Sequence, residues 1–206
     1  MAKHSKYKLS FTGASLRLNE MVKVARAANE MGITDLRMVK VSGVVFGSVK
    51  SRTSTREFQE IQKRLESLTL DQLDVLIHGD LISQKQIGFL AVCKSYDFIR
   101  DFTIEVLRDK TLVYDYTINE SDFNSFIDRR LNVHPELESF SESTLRKAKQ
   151  VMFRILEQAG IINNAVDRII QPQIVQPDVI RSVVKEDPSW LKVFLMSDMD
   201  IKQVKY

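Results

Sequence analysis

The sequence predicts a compact, mainly α-helical protein, and three observations support that prediction. Apolar residues recur three or four positions apart through most of the chain, the spacing that places them on one face of a helix. Several of these segments begin with Ser or Thr followed three residues later by Glu or Gln, and several end at Gly. Hydrophobic residues make up 44% of the 206 residues, enough to build a buried core.

The first part of the chain contains one clear helix and one ambiguous segment. Asn19 is expected to cap a helix that ends near Met31, before Gly32. A short segment, "LRMVKV", follows and ends near Gly43. The next stretch, "GVVFG", is apolar and β-branched, so it predicts either a short strand or a buried turn.

Three capping boxes then predict three consecutive helices, starting at Ser54–Glu57, Thr69–Gln72 and Ser83–Gln86. The third box opens the apolar stretch "IGFLAVCKSYDFIRDFTIEVLRDK", which we expect to form two helices that meet near Ser95. Its large apolar side chains are expected to form the core rather than a base-stacking platform. They are Phe89, Tyr96, Phe98, Ile99 and Phe102.

The last third of the chain predicts further helices and one hairpin. "LVYDYTI" is a candidate extended segment, after which Asn119 caps a helix. Ser139 or Ser141 caps a long amphipathic helix. The β-branched pieces of "IINNAVDRIIQPQIV" surround turn residues and predict a β-hairpin near residues 161–171, the usual shape of a wing. Pro177 suits the first turn of the helix that precedes the closing segment "PSWLKVFLM".

Charge is distributed unevenly along the chain. The net charge is +3, but residues 1–68 hold thirteen Lys/Arg and six Asp/Glu, a net of +7, and the remainder carries −4. This asymmetry favours an anionic partner for the N-terminal part, although ordinary surface solvation would also account for it. We therefore divide the chain into a basic N-terminal helical subdomain, residues 1–80, and a C-terminal helical subdomain, residues 81–206, which could share one core.

The sequence signals no catalytic site, metal site or membrane segment. His4, His78 and His134 are scattered without metal-ligand spacing, and Cys93 is expected to be a small core residue. "SGVVFGS" lacks the lysine of a phosphate-binding loop. No apolar run reaches the roughly eighteen residues of a membrane helix, and no secretory signal is evident. We expect a cytoplasmic protein that is not an enzyme and that uses no metal or cofactor.

The stretch "VKSRTSTREF", from Val49 to Phe58, combines three cations and four hydroxyls at the predicted start of a helix. The free amides and dipole of a helix N-terminus favour an anion. A short helix, a turn with Gly43 and Gly47, and this helix would form a helix-turn-helix-like element. The alternative is a simple helix cap with solvated charges. The candidate DNA-binding residues are Lys50, Arg52, Thr53, Ser54, Thr55, Arg56 and Lys63.

A second candidate site lies on the helix between Ser141 and Gly160. One stripe of this helix is apolar and is expected to face the core, while the opposite stripe is cationic. A helix followed by a hairpin is typical of a winged helix-turn-helix. The alternative is a solvated basic face, whose charge is diluted by Glu142 and Glu157. The candidate DNA-binding residues are Arg146, Lys147, Lys149, Gln150 and Arg154.

Three long segments resemble the BrxA family of the BREX bacteriophage-exclusion systems of bacteria: "YKLSFTGASL", "FLAVCKSYDFIRDFTIEVLRDK" and "HPELESFSESTLRKAKQVMFRILEQAGII". The resemblance implies a small, mostly helical, cytoplasmic protein encoded beside a DNA methyltransferase, an ATPase and other defence partners. It also implies two helix-turn-helix-like elements, double-stranded DNA binding without known catalysis, and a likeness to the RNA-binding protein NusB. "SGVVFGSVKS" is more glycine-rich than expected for the family, which leaves the boundary of the first element open.

Taken together, the residues and the resemblance predict a monomeric, non-catalytic accessory protein of phage defence. It would bind double-stranded DNA through phosphates with little sequence preference, and it would contact other BREX components. Two alternatives stay open: a NusB-like RNA-binding regulator and a protein–protein assembly adaptor. Competition between duplex DNA and structured RNA would distinguish the RNA-binding regulator from a DNA-binding protein. Partner binding without any DNA binding at low salt would favour the assembly adaptor.

Overall fold

A computed structural model describes residues 6–32 and 52–204. Within these ranges the chain forms ten α-helices with short 3₁₀ helices and no β-strand, which confirms the predicted fold class. The helices are α1 (Leu18–Glu30), α2 (Arg52–Glu66), α3 (Leu70–His78), α4 (Leu81–Ser95), α5 (Asp97–Phe102), α6 (Asp109–Leu112), α7 (Glu120–Leu131), α8 (Glu142–Ala159), α9 (Pro177–Val184) and α10 (Asp198–Gln203). The 3₁₀ helices are Ser10–Gly13, Pro135–Ser139 and Pro188–Phe194, and the π-helical stretch Thr103–Arg108 joins α5 to α6.

Helix α4 lies at the centre of the core. It is buried from Gln86 to Cys93 and is apolar on nearly all sides, the pattern expected of a helix surrounded by protein. Helices α1, α2, α3, α5, α8 and α9 pack around it. Gly88 permits the close approach of the N-terminal part of the chain, because a Cβ atom there would lie 3.0 Å from Cδ1 of Leu18.

The predicted core aromatics are confirmed, and α4 and α5 meet where expected, at Ser95 and Asp97. The rings of Phe98 and Phe102 lie 5.5 and 5.3 Å from that of Phe126, in edge-to-face geometry, and so join α5 to α7. One cluster of buried side chains includes residues from both predicted subdomains. None of the helices in the described ranges is long and apolar enough to cross a membrane.

The N-terminal segment is held against the core by one buried arginine. The guanidinium of Arg64 is fully buried and donates to the carbonyls of Ala14, Ser15 and Leu16 at 2.9, 2.6 and 3.0 Å. These bonds satisfy backbone groups that helix or sheet pairing would otherwise satisfy. As a result, the 3₁₀ helix Ser10–Gly13 packs against both α2 and α8.

Two of the three helix starts predicted from capping boxes are wrong. Helix α2 already includes Arg52, so it does not begin at Ser54, and Glu57 forms an ion pair with Arg17. Helix α4 is capped by Asp80, whose carboxylate accepts the backbone N–H of Ser83 at 2.8 Å. Asp is as favourable an N-cap residue as Ser, so the helix starts three residues before the predicted box.

Of the other predicted helix caps, those at Thr69 and Asn119 are confirmed and the one at Asn19 is wrong. The Thr69 capping box is confirmed, because both of its reciprocal hydrogen bonds to Gln72 form. Asn119 caps α7 as predicted. Asn19 is not a cap, because α1 has already begun at Leu18. The segments "LRMVKV" and "GVVFG" lie outside the described residues, as do the two turn glycines of the first predicted helix-turn-helix.

The predicted hairpin near residues 161–171 forms as a paired turn without regular strands. Ile162 and Ile170 make an isolated antiparallel bridge. The backbone N–H of Asn163 donates to the carbonyl of Ile169 at 2.9 Å. We refer to residues 161–171 as the wing turn.

A third segment pairs with the wing turn on its other side. Thr117 makes an antiparallel bridge to Ile169, and the N–H of Ile170 donates to the carbonyl of Tyr116 at 2.8 Å. The extended conformation predicted for residues 112–118 is therefore limited to the end of that segment, because Leu112 closes α6.

Candidate nucleic-acid interface

Helix α8 is fixed at both ends and along one side. Ser141 accepts the N–H of Thr144 at 3.2 Å, and Gly160 closes the helix with a left-handed φ of 78°. The predicted apolar stripe is confirmed. Its buried members are Ala148, Val151, Met152, Ile155, Leu156 and Ala159, and Leu145 is half-buried. The opposite stripe is therefore held in a defined position at the surface.

The outward stripe of α8 presents two arginines to solvent. The side chains of Arg146 and Arg154 are 76% and 59% exposed. Each pairs with a carboxylate of its own helix, Arg146 with Glu142 at 3.1 Å and Arg154 with Glu157 at 3.3 Å. Exposed pairs at this spacing contribute only about 0.3–0.5 kcal/mol, so an anionic ligand could replace them at small cost.

Lys147 and Gln150 share this outward stripe, and the Lys147 ammonium donates to Oε1 of Gln150 at 3.3 Å. Lys149 differs, because its side chain is only 16% exposed and extends over the ring of Phe123. Burial lowers the pKa of Lys149, and the neighbouring charge of Arg168 lowers it further. The structure thus brings four of the five predicted α8 residues together at the surface and places Lys149 at the edge between α8 and α7.

The wing turn is ordered by side-chain hydrogen bonds to its own backbone. Oδ1 of Asn164 accepts the N–H groups of Val166 and Asp167 at 2.8 and 2.7 Å. Val166, near the tip, is 85% exposed. Arg168 has a left-handed φ of 54°, and its guanidinium lies 4.4 Å from the centre of the Phe153 ring on α8. The turn is therefore attached to α8 through a cation–π contact.

The first predicted site is described only in part. Lys50 lies outside the described residues, and Arg52, Thr53 and Ser54 lie in the first turn of α2. Thr55 and Arg56 are exposed in the next positions.

Lys63, about two turns beyond Arg56 on α2, is half-buried, with its ammonium 4.1 Å from the centre of the Tyr96 ring. Burial lowers the pKa of Lys63, and the nearby charge of Lys8 contributes in the same direction. Lys63 is therefore partly a packing residue and only partly available to a ligand.

Sequence reasoning missed three cations that the fold brings close to the candidate sites: Lys6, Lys8 and Arg168. Lys6 and Lys8 are exposed on the segment just before the 3₁₀ helix Ser10–Gly13, which packs against α2 and α8. They alternate with the buried residues Tyr7 and Leu9. This period-two pattern would have placed both lysines on one exposed side of an extended segment.

Cys93 is a core residue, and two acidic residues of α3 lie at the surface. Cys93 is fully buried, as predicted. Asp71 and Asp74 are exposed, and they pair with Lys185 at 2.8 Å and with His78 at 3.0 Å. Across residues 6–32 and 52–204, no group of three His, Cys, Asp or Glu side chains is arranged to hold a metal ion.

The fold and the site together define an all-α protein that exposes a capped, cation-bearing helix beside an ordered turn. Residues 5–187 match the family model described as BrxA, so the chain belongs to the BrxA family, as the resemblance indicated.

Two relatives carry the name BREX protein BrxA. The one from Bacillus cereus is 27% identical over 192 residues, which cover 89% of this chain and 92% of the relative. The one from Escherichia coli is 24% identical over 126 residues, which cover 61% of this chain and 59% of the relative. A crystal structure of an uncharacterized protein from Magnetospirillum magneticum has the same fold, with a TM-score of 0.77 at 20% identity, covering 93% of this chain and 99% of that one.

Proposed function

We propose that this protein is a non-catalytic, duplex-DNA-binding component of a BREX phage-exclusion system. Helix α8 and the wing turn would form its principal DNA contact. The family assignment and the names of the two relatives support the place in BREX. The DNA contact is argued from the geometry of the surface.

One observation carries the proposal: the order and pairing of the elements around α8. A short paired segment at Thr117 precedes α7, α8 follows α7, and the two arms of the wing turn come next. The second arm pairs with the first arm on one side and with Thr117 on the other. This is the order of elements in a winged helix-turn-helix, whose second helix enters the major groove. Here that helix is α8, and its groove-facing side would be the outward stripe.

The chemistry of the outward stripe favours phosphate contacts over base reading. Arg146, Lys147 and Arg154 supply cations, and Gln150 lies among them as a neutral donor and acceptor. Phosphate contacts release counterions, so they give affinity that depends strongly on salt and little on sequence. The acidic residues Glu142 and Glu157 on the same helix would limit affinity, which favours a binder of moderate strength.

The N-terminal segment supports a second contact beside the first. Its 3₁₀ helix Ser10–Gly13 packs against α2 and α8, and Lys6 and Lys8 are exposed just before that helix. Arg56 is exposed on α2. A duplex that extends beyond α8 would therefore contact α8 and the α2 region at once, which would add phosphate contacts without base specificity.

Titration of a fluorescent duplex of mixed sequence across a salt series tests the proposal. We expect binding in the micromolar range at moderate salt, and a linear fall of affinity on a log–log plot. Two unrelated duplexes should bind alike. No binding at low salt, or a flat salt response, would refute the phosphate mechanism. Tighter binding of a structured RNA in direct competition would instead support the RNA-binding alternative.

A further inference from the structure

Glu120 joins three elements around the DNA-facing side of α8. It lies in the first turn of α7. One of its carboxylate oxygens pairs with the ammonium of Lys149 on α8. The other accepts from the guanidinium of Arg168 on the wing turn at 3.2 Å. A single carboxylate therefore neutralises part of the charge of two cations.

The two cations are positioned by contacts other than Glu120. Lys149 extends over the ring of Phe123 at 5.1 Å, and Arg168 lies over the ring of Phe153 at 4.4 Å. Nε of Arg168 also donates to the carbonyl of Ala165 at 3.1 Å. Both side chains are largely covered, with 16% and 24% exposed. Two like charges held this close, with little water around them, favour an anion between them.

Glu120 is much less constrained than the cations it joins, since its side chain is 61% exposed. Because the carboxylate is exposed, it can turn into water when another anion takes its place beside the two covered cations. Lys149 and Arg168, which are packed on aromatic rings, would remain in place. The position between them could then accept another anion.

We propose that Lys149 and Arg168 form a phosphate-binding pair, and that Glu120 occupies it in the free protein. A phosphodiester group of bound nucleic acid would displace the carboxylate. Lys149 lies less than one helical turn from Arg146, so the pair would extend the outward stripe of α8 towards the wing turn. Glu120 would thereby weaken binding, as an internal competitor of phosphate. This inference rests on the proposed function.

Glu120→Gln tests the inference, because it keeps the size of the side chain and removes its charge. At about 0.1 M salt the variant should bind a mixed-sequence duplex about threefold to fivefold more tightly, the factor that corresponds to one exposed ion pair. Its log–log salt slope should stay close to that of the wild type, because the same phosphate is neutralised in both complexes. Asp71→Asn is the matched control. It removes one negative charge from an exposed pair with Lys185, and its binding should stay unchanged.

The tighter binding should depend on the two cations. In a Lys149→Gln, Arg168→Gln background, adding Glu120→Gln should have no further effect on affinity. Glu120→Ala should reproduce the increase in affinity, and thermal unfolding of every variant confirms that it is folded. If the wild type binds DNA and both folded Glu120 variants bind no better, the inference is wrong and the proposed function stands. If neither the wild type nor the variants bind at low salt, both are wrong.

Discussion

The ring of Tyr7 stacks on the imidazole of His134, with ring centres 3.6 Å apart and planes 9° from parallel. The two residues are held by one carboxylate, because Glu136 accepts the backbone N–H of Tyr7 at 2.6 Å and contacts Nδ1 of His134 at 3.0 Å. The hydroxyl of Tyr7 donates to Asp101 at 2.7 Å. This cluster fixes the segment that carries Lys6 and Lys8 against α5 and the 3₁₀ helix Pro135–Ser139.

The cluster predicts an acid-dependent loss of stability. Partial burial tends to raise the pKa of Glu136, but the hydrogen bonds from Tyr7 and His134 outweigh it, so the pKa lies below its usual 4.5. Such a group stabilises the fold fully above its unfolded pKa, and the stabilisation is lost as pH falls through the folded pKa. The stability difference between wild type and Glu136→Gln should therefore be constant near neutral pH and shrink below about pH 4.5. Urea unfolding between about pH 3 and 7 measures it, and a difference that does not change with pH would contradict the prediction.

Arg64 should be critical for stability. Replacing it with Met removes the donors to three backbone carbonyls in a fully buried site, which should cost about 3 kcal/mol or more in the free energy of unfolding. Arg56→Met is the matched control on the same helix, and it should change that free energy by less than about 0.5 kcal/mol. Denaturant titration of both variants measures the difference between their free energies of unfolding. A similar small effect of the two substitutions would contradict the prediction.

The outward stripe of α8 should affect binding and not folding. Arg146→Ala combined with Arg154→Ala should reduce the log–log salt slope of DNA binding by roughly one to two, since each lost phosphate contact removes about 0.9. The free energy of unfolding should fall by less than about 1 kcal/mol, because both arginines form only exposed pairs within the helix.

The control for that variant removes two exposed cations elsewhere. Arg181 on α9 and Lys202 on α10 are both exposed, and those helices pack against other elements. Arg181→Ala with Lys202→Ala should leave the slope nearly unchanged. A slope that falls equally in the two double variants would indicate a general charge effect rather than a site on α8.

The candidate DNA-binding site at the start of α2 can be tested separately. Reversing two charges there, by Arg52→Glu with Arg56→Glu, should weaken DNA binding strongly on unrelated sequences while the thermal midpoint stays close to that of the wild type. Titration and thermal unfolding of the same sample check both statements. A folded variant with wild-type affinity would leave α8 and the wing turn as the sole contact.

Cys93 should be unreactive in the folded protein. Its thiol is fully buried, and burial raises its pKa well above the ordinary value, so almost no thiolate forms near neutral pH. A disulfide-exchange reagent should label no thiol in buffer and one thiol per chain in denaturant. Rapid labelling under native conditions would show that α4 is not packed as described.

Local patterns predicted the helices because a helix depends on residues three or four positions apart. The stripe from Leu145 to Ala159 and the caps at Thr69 and Ser141 were predicted in this way and are confirmed. Ser54 and Ser83 were misassigned for a local reason as well, since more than one nearby residue could begin each helix. DNA binding through the predicted cations stays a prediction.

The sequence by itself determined the helical class, the apolar face of each helix and the aromatic core, because these follow from short-range periodicity and composition. Only the tertiary structure decided that Arg64 is buried against the N-terminal segment, and that Glu120 meets Lys149 and Arg168. These partners lie far apart in the chain, so tertiary packing, and not local spacing, brings them together. Arg64 is thus buried and bonded to backbone carbonyls, whereas Arg146 is exposed to solvent, because packing covers one helix face and leaves the other open.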